Sequence, residues 1–260
     1  MATSDRNPYA RPTVGAAPAD VGIDQGLRSY MLSVYNYMAI GLVITGIAAL
    51  GVVSLATTNN AAGAAAQLGN GIYLTEFGVT FYTSPLKWVV MLAPLGFIFL
   101  LGGRIGKMSL GSAQLMFWGF AAIMGLSLSS VFLVYTSESI VRVFFITAAA
   151  FGALSLYGYT TKKDLSGWGS FLFMGLIGII IAALVNLFLQ SSALQFAISV
   201  IGVLVFAGLT AYDTQRIKEM YYVGDDGTVA GRKAIMGALS LYLNFINMFV
   251  MLLSLFGNRN

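Results

Sequence analysis

The 260-residue chain is 58% hydrophobic and 9% charged, with a formal net charge of +4. A soluble domain carries roughly a quarter charged residues, so this composition excludes a globular protein clothed by water, and a mean hydropathy of +0.81 fits lipid as the solvent. Cysteine and histidine are both absent, which removes disulfides, thiol nucleophiles, Cys/His zinc sites, imidazole-ligated haem and Ser-His chemistry.

Residues 1–28 are the extended polar stretch, with Pro8, Arg11, Pro12, Gly15 and Pro18. They read as a disordered cytoplasmic tail. No basic start with a short apolar run and small-residue cleavage site marks a signal peptide. Residues 29–260 read as a seven-helix transmembrane domain, with apolar blocks at about 31–56, 85–103, 111–134, 140–160, 168–189, 195–215 and 234–256. Each approaches the roughly twenty residues that cross a ~30 Å hydrocarbon core. The runs are continuously apolar rather than alternating, which predicts helices and not a β-barrel. The fold class is therefore all-α and polytopic. Most connections are short, apart from those near 57–84 and 217–233. Pro94 predicts a kink in the second span. Gly102-x-x-x-Gly106 and Gly125-x-x-x-Ser129 have the spacing at which membrane helices approach closely.

The charges set an orientation. With the amino terminus inside, eleven of the fourteen basic residues are cytoplasmic: Arg6, Arg11 and Arg28, then Arg104 and Lys107, Lys162 and Lys163, and Arg216, Lys218, Arg232 and Lys233. Lys87, Arg142 and Arg259 fall on the other side. This is the positive-inside pattern, and an odd number of spans places the carboxyl terminus outside. The basic residues occur in ones and twos, so the pI near 9.3 reflects topology rather than a nucleic-acid-binding face.

Few polar residues inside the spans are candidates for function. Asp213, in FAGLTAYDTQRI, ends the sixth span. An ionisable group within a membrane span faces a partner or a water-filled cavity. Either it sits at the interface with Arg216 as a weak ion-pair partner, or it is buried and acts as a proton sensor. Arg104 closes the second span at the same membrane face, as a headgroup anchor or as a latch to Asp213. Asn244 and Asn247 lie inside the seventh span, with Asn244 about 15 Å from its start near Ala234 at ~1.5 Å per residue. Asn186 lies in the fifth. These amides are candidates for pore lining or for interhelical hydrogen bonds.

The segments YGYTTKKDLSGWG, GLTAYDTQRIKEMY and ALSLYLNFINMF, in this order among seven spans, resemble the Bax inhibitor family of transmembrane proteins, most closely its bacterial branch. The resemblance covers residues 28–257, and AYDTQ is its most specific element. It implies six helices wrapped around a central seventh, a pH-sensitive calcium leak, and in some bacterial relatives a link to membrane-protein quality control. It also implies a proton-sharing pair of aspartates on the sixth and seventh helices, with a second-helix arginine as latch. The first aspartate maps to Asp213 and the arginine to Arg104. The second position holds Asn244. An Asp–Asn pair keeps a hydrogen bond but loses the coupled titration of two carboxylates, and offers Ca²⁺, a hard ion that seeks oxygen ligands, only the weak site of Asp213.

Two further classes of function compete with the leak. An intramembrane aspartyl protease needs a second carboxylate to activate water, and the seventh span has no acidic residue, so the chain reads as no enzyme, without a cofactor. The remaining alternative is a non-conducting regulator that binds a membrane protease or acts in a membrane-stress response.

Overall fold

The computed structural model describes residues 19–68, 71–102 and 105–260. Helix α1 (Ala19–Ala56) is followed by three two-residue strands, β1 (Thr57–Thr58), β2 (Ala66–Gln67) and β3 (Tyr73–Leu74). Then come α2 (Glu76–Thr83), α3 (Leu86–Gly102), α4 (Leu110–Leu128), α5 (Val131–Val134), α6 (Ser137–Thr160), α7 (Ser166–Leu189), α8 (Ser192–Glu219) and α9 (Gly227–Phe256). The first eighteen residues of the predicted tail lie outside the described residues, and α1 takes in residues 19–28.

Helix starts are set by short polar side chains. Thr75, Ser109, Thr136, Ser191 and Asp226 each accept a hydrogen bond from a backbone N–H in the first turn of the helix they precede. Such caps matter more in lipid, where no water satisfies a free donor. The Asp226 cap starts α9 at Gly227, seven residues before the predicted span, so Asn244 is about 25 Å along the helix at ~1.5 Å per residue rather than 15 Å.

Among the described residues, six helices are long and apolar enough to cross a bilayer, and α2 with α3 forms a further pair bent by 60°. The bend falls at Ser84–Pro85, not at the predicted Pro94. Ser84 is extended (φ −78°, ψ 171°), the conformation that a following proline imposes, whereas Pro94 sits within α3. The bent pair still carries the chain through the bundle. Gly78 of α2 abuts the Ala56 carbonyl at the end of α1. Met108, just past α3, accepts a hydrogen bond from Arg232 Nη1 near the start of α9.

The two ends of the bundle differ in chemistry. At one end Lys218 Nζ donates to the Tyr159 carbonyl, and Lys233 Nζ to the Met220 carbonyl and to Asp225. Cations there meet the carbonyl ends of α6 and α8, where the helix dipoles favour them. Between α6 and α7, the exposed Asp164 carboxyl accepts the Ser166 N–H, which holds it below the usual carboxylate range. At the other end the carboxyl-terminal residues close on the α5–α6 connection: Thr136 N–H donates to the Asn258 carbonyl, and Asn258 N–H to Ser139 Oγ. There the described residues of the predicted loop 57–84 include a small sheet, with β3 between β1 and β2, antiparallel to both.

Helix α9 is the most buried of the six long helices. Half of its apolar stretch (50%) is buried, against 11% for α7, and it packs on α1, α4, α6 and α8, while α3 leans on α4 and α7 on α8. Tyr242 is fully buried on α9, its hydroxyl 2.6 Å from Thr45 Oγ1 of α1 and its ring met edge-on by Phe117 and Phe120 of α4. Close backbone contact requires glycine at two more places besides Gly78. A Cβ on Gly125 would lie 2.4 Å from the Thr45 carbonyl oxygen, and one on Gly158 2.2 Å from that of Ala211. Of the two small-residue pairs read from sequence, Gly125–Ser129 is thus a packing seam, with Ser129 fully buried. At Gly106 a Cβ would meet nothing within 4 Å.

Candidate functional site

Successive residues of an α-helix point about 100° apart. The last turns of α8 use this to reach a different neighbour at each step. Tyr212 lies over Gly169 of α7, where an added Cβ would come 2.6 Å from its ring. Asp213 Oδ2 accepts a 2.7 Å hydrogen bond from Asn244 Nδ2 of α9. Thr214 Oγ1 lies 3.0 Å from Ser155 Oγ of α6, which is itself 2.6 Å from the Tyr35 hydroxyl of α1. Gln215 binds the α6–α7 connection through both ends of its amide, accepting from Leu165 N–H and donating to the Lys163 carbonyl, each at 2.8 Å. The AYDTQ segment is therefore the junction at which α1, α6, α7, α8 and α9 are tied together.

Asp213 is half-buried and Asn244 is 5% exposed. The ion pair with Arg216, one of the two readings of Asp213, is not formed: Arg216 is exposed, and among the described residues the single ion pair is Lys233–Asp225, at 2.5 Å. Among the described residues Asp213 instead takes its hydrogen bond from a neutral amide. Arg104, the sequence-derived latch, lies outside the described residues. No group of three or more acidic side chains able to hold a metal ion occurs among the described residues. One carboxylate and one amide fall well short of the six to eight oxygens that bind Ca²⁺ tightly.

Of the other two amides, Asn186 makes an interhelical hydrogen bond, one of its two expected roles, and Asn247 turns back on its own helix. Asn247 Nδ2 donates to the Leu243 carbonyl of its own helix and, among the described residues, bridges no neighbour. Asn186 lies at the opposite end of α7, where its Oδ1 accepts the Ser191 N–H and its Nδ2 donates to Gln195. It closes the turn at Gln190, which adopts a left-handed backbone (φ 48°). Its role is to shape the α7–α8 turn.

Sequence reasoning missed Thr214, Gln215, Ser155 and Tyr35, although hydroxyls and an amide within apolar blocks were the available signal. Replacing Gln215 by alanine is expected to lower stability by about 1–2 kcal/mol, because it strands two backbone groups of the α6–α7 connection. Thermal unfolding in detergent tests this, and an unchanged midpoint would mean that the connection holds without the clamp.

Residues 27–260 match the family model described as "Inhibitor of apoptosis-promoting Bax1". A protein of Rickettsia prowazekii is 48% identical over 236 residues, covering 91% of this chain and 92% of its own length. A Caulobacter vibrioides protein is 47% identical over 252 residues, 96% of each chain. The inner membrane protein YbhL of Escherichia coli is 45% identical over 236 residues, covering 90% of this chain and 93% of YbhL.

Proposed function

The chain belongs to the Bax inhibitor family, and we propose that within this family of non-catalytic, polytopic membrane proteins it is a pH-sensitive cation leak, permeable to Ca²⁺ and gated at Asp213. In this reading it resides in a bacterial inner membrane, as the name of the Escherichia coli relative suggests. The end of the bundle that carries Lys218, Arg232 and Lys233 faces the cytoplasm, in keeping with the positive-inside pattern, and the carboxyl terminus faces the periplasm. Helix α9 is the central helix, with α1, α4, α6 and α8 against it and α3 and α7 completing the ring of six outside them.

The observation that carries this reading is the Asn244–Asp213 hydrogen bond between α9 and α8. A carboxylate can only accept, and Asn244 supplies the donor. Protonation removes the charge and puts an O–H on Asp213. With the proton on Oδ2 a donor faces a donor and the amide turns or the helices part, and with it on Oδ1 the hydrogen bond is kept but weakened. That change is the gate, and the latch is the role that the family resemblance gives Arg104. Ca²⁺ passes through and has no resident site. Asn247 and Asn186 have no part in the pathway.

Calcium flux into proteoliposomes, measured between about pH 5 and 8, where buried groups are tuned to titrate, tests the reading. Flux is expected to rise as pH falls. Asp213→Asn, which cannot ionise, is expected to lose the pH dependence and hold the acid-side level. A wild-type pH profile in Asp213→Asn would sink the gate. Absence of flux at every pH in the wild-type chain would favour instead the non-conducting regulator of a membrane protease.

A further inference from the structure

Between α1 and α6 runs a groove of about 660 Å³, open to the side of the bundle. Arg28 stands exposed at its mouth. Behind the arginine the walls are apolar, formed by Met31 and Leu32 of α1 and by Phe151 and Leu156 of α6. Leu32 is 52% and Leu156 63% exposed, so these walls face the surrounding bilayer. The groove ends on the Tyr35–Ser155 hydroxyl pair, and Ser155 passes a hydrogen bond on to Thr214, the residue next to Asp213. Gly152 forms part of the groove surface, and a Cβ there would meet nothing within 4 Å.

We propose that this groove is a binding site for one anionic glycerophospholipid, its phosphate held at Arg28 and an acyl chain lying between α1 and α6. The shape argues for this occupant: a cation at the membrane-surface end leads into an apolar slot that opens sideways into lipid. A groove of this kind is filled by what the bilayer offers, and the guanidinium selects the anionic headgroup, because it meets phosphate in a bidentate fork and basic residues near the surface attract anionic lipid. The lipid would reach the Tyr35–Ser155 pair and, through Thr214, the α6 face of α8 one residue from Asp213. The site stands independently of any flux through the protein.

Native mass spectrometry of the full chain, released from nanodiscs of equimolar phosphatidylglycerol and phosphatidylethanolamine, tests the proposal. Retained phosphatidylglycerol is expected to exceed phosphatidylethanolamine by about fivefold, the preference that one surface cation supplies. Arg28→Gln should remove the preference, and Gly152→Leu, whose Cβ meets open space at the groove surface, should lower retention of both lipids with the helical content unchanged. Equal retention of the two lipids by the wild-type chain, or unaltered retention in Gly152→Leu, would overturn the proposal. So would a mass of two chains abolished by Gly152→Leu, which would make the occupant a second copy of this protein.

Discussion

Replacing Asn244 by aspartate is expected to turn a flux profile with one titration step into one with two. The Asn244 amide lies 2.7 Å from an oxygen of Asp213, so the new carboxylate would sit in direct contact with the old one. Two carboxylates at that separation share a proton, and their titrations belong to the pair rather than to either residue. If the proposed leak holds, the variant also gains a negative charge on α9, beside the carboxylate of Asp213. Flux should therefore increase on the acid side and its pH profile should broaden. Proteoliposome measurements on both forms decide the matter, and superimposable curves at every pH would remove Asn244 from the gate.

A second large effect is expected from one methyl group. Gly158→Ala would put a Cβ 2.2 Å from the Ala211 carbonyl oxygen. That atom is backbone and has no rotamer to escape into, so α6 and α8 must separate at the level where Ser155 and Thr214 join them. Overpacking of this kind costs about 1–3 kcal/mol, and a rigid neighbour places it near the upper end. Gly152→Ala, six residues earlier on the same helix, meets open space and should stay within about 0.5 kcal/mol of the natural chain. Thermal unfolding of the two variants in one detergent separates the cases, and equal midpoints would refute the close approach.

The spans were legible because lipid leaves a strong mark on sequence: a run of twenty apolar residues finds no comparable solvent outside a bilayer. Their edges were less so. Helix α9 starts at Gly227 because Asp226 caps it, and a cap seven residues outside an apolar block leaves hydropathy unchanged. The bend at Ser84–Pro85 was hidden for a related reason. Pro85 stands at the margin of its block, whereas Pro94 stands within it, where a kink is expected. Asp213 was conspicuous as the ionisable residue of the sixth span, and Asn244 followed through the family resemblance. Direct sequence reasoning could not tell which polar amide faces a neighbouring helix and which turns back on its own, and so gave Asn186, Asn244 and Asn247 equal standing. Only the packing of α8 on α9 separates Asn244 from Asn247, three residues on.

The four contacts of Tyr212, Asp213, Thr214 and Gln215 span about 300° of the circumference of α8, three steps of about 100°. At this level the helix has almost no free azimuth. Turning it either way loosens one partner and drives another side chain into its neighbour. A one-residue insertion upstream would misaddress all four contacts together, so this stretch keeps phase as a gear does. A proton arriving at Asp213 and a lipid arriving at Ser155 would thus act on one shared coordinate, the rotation and slide of α8.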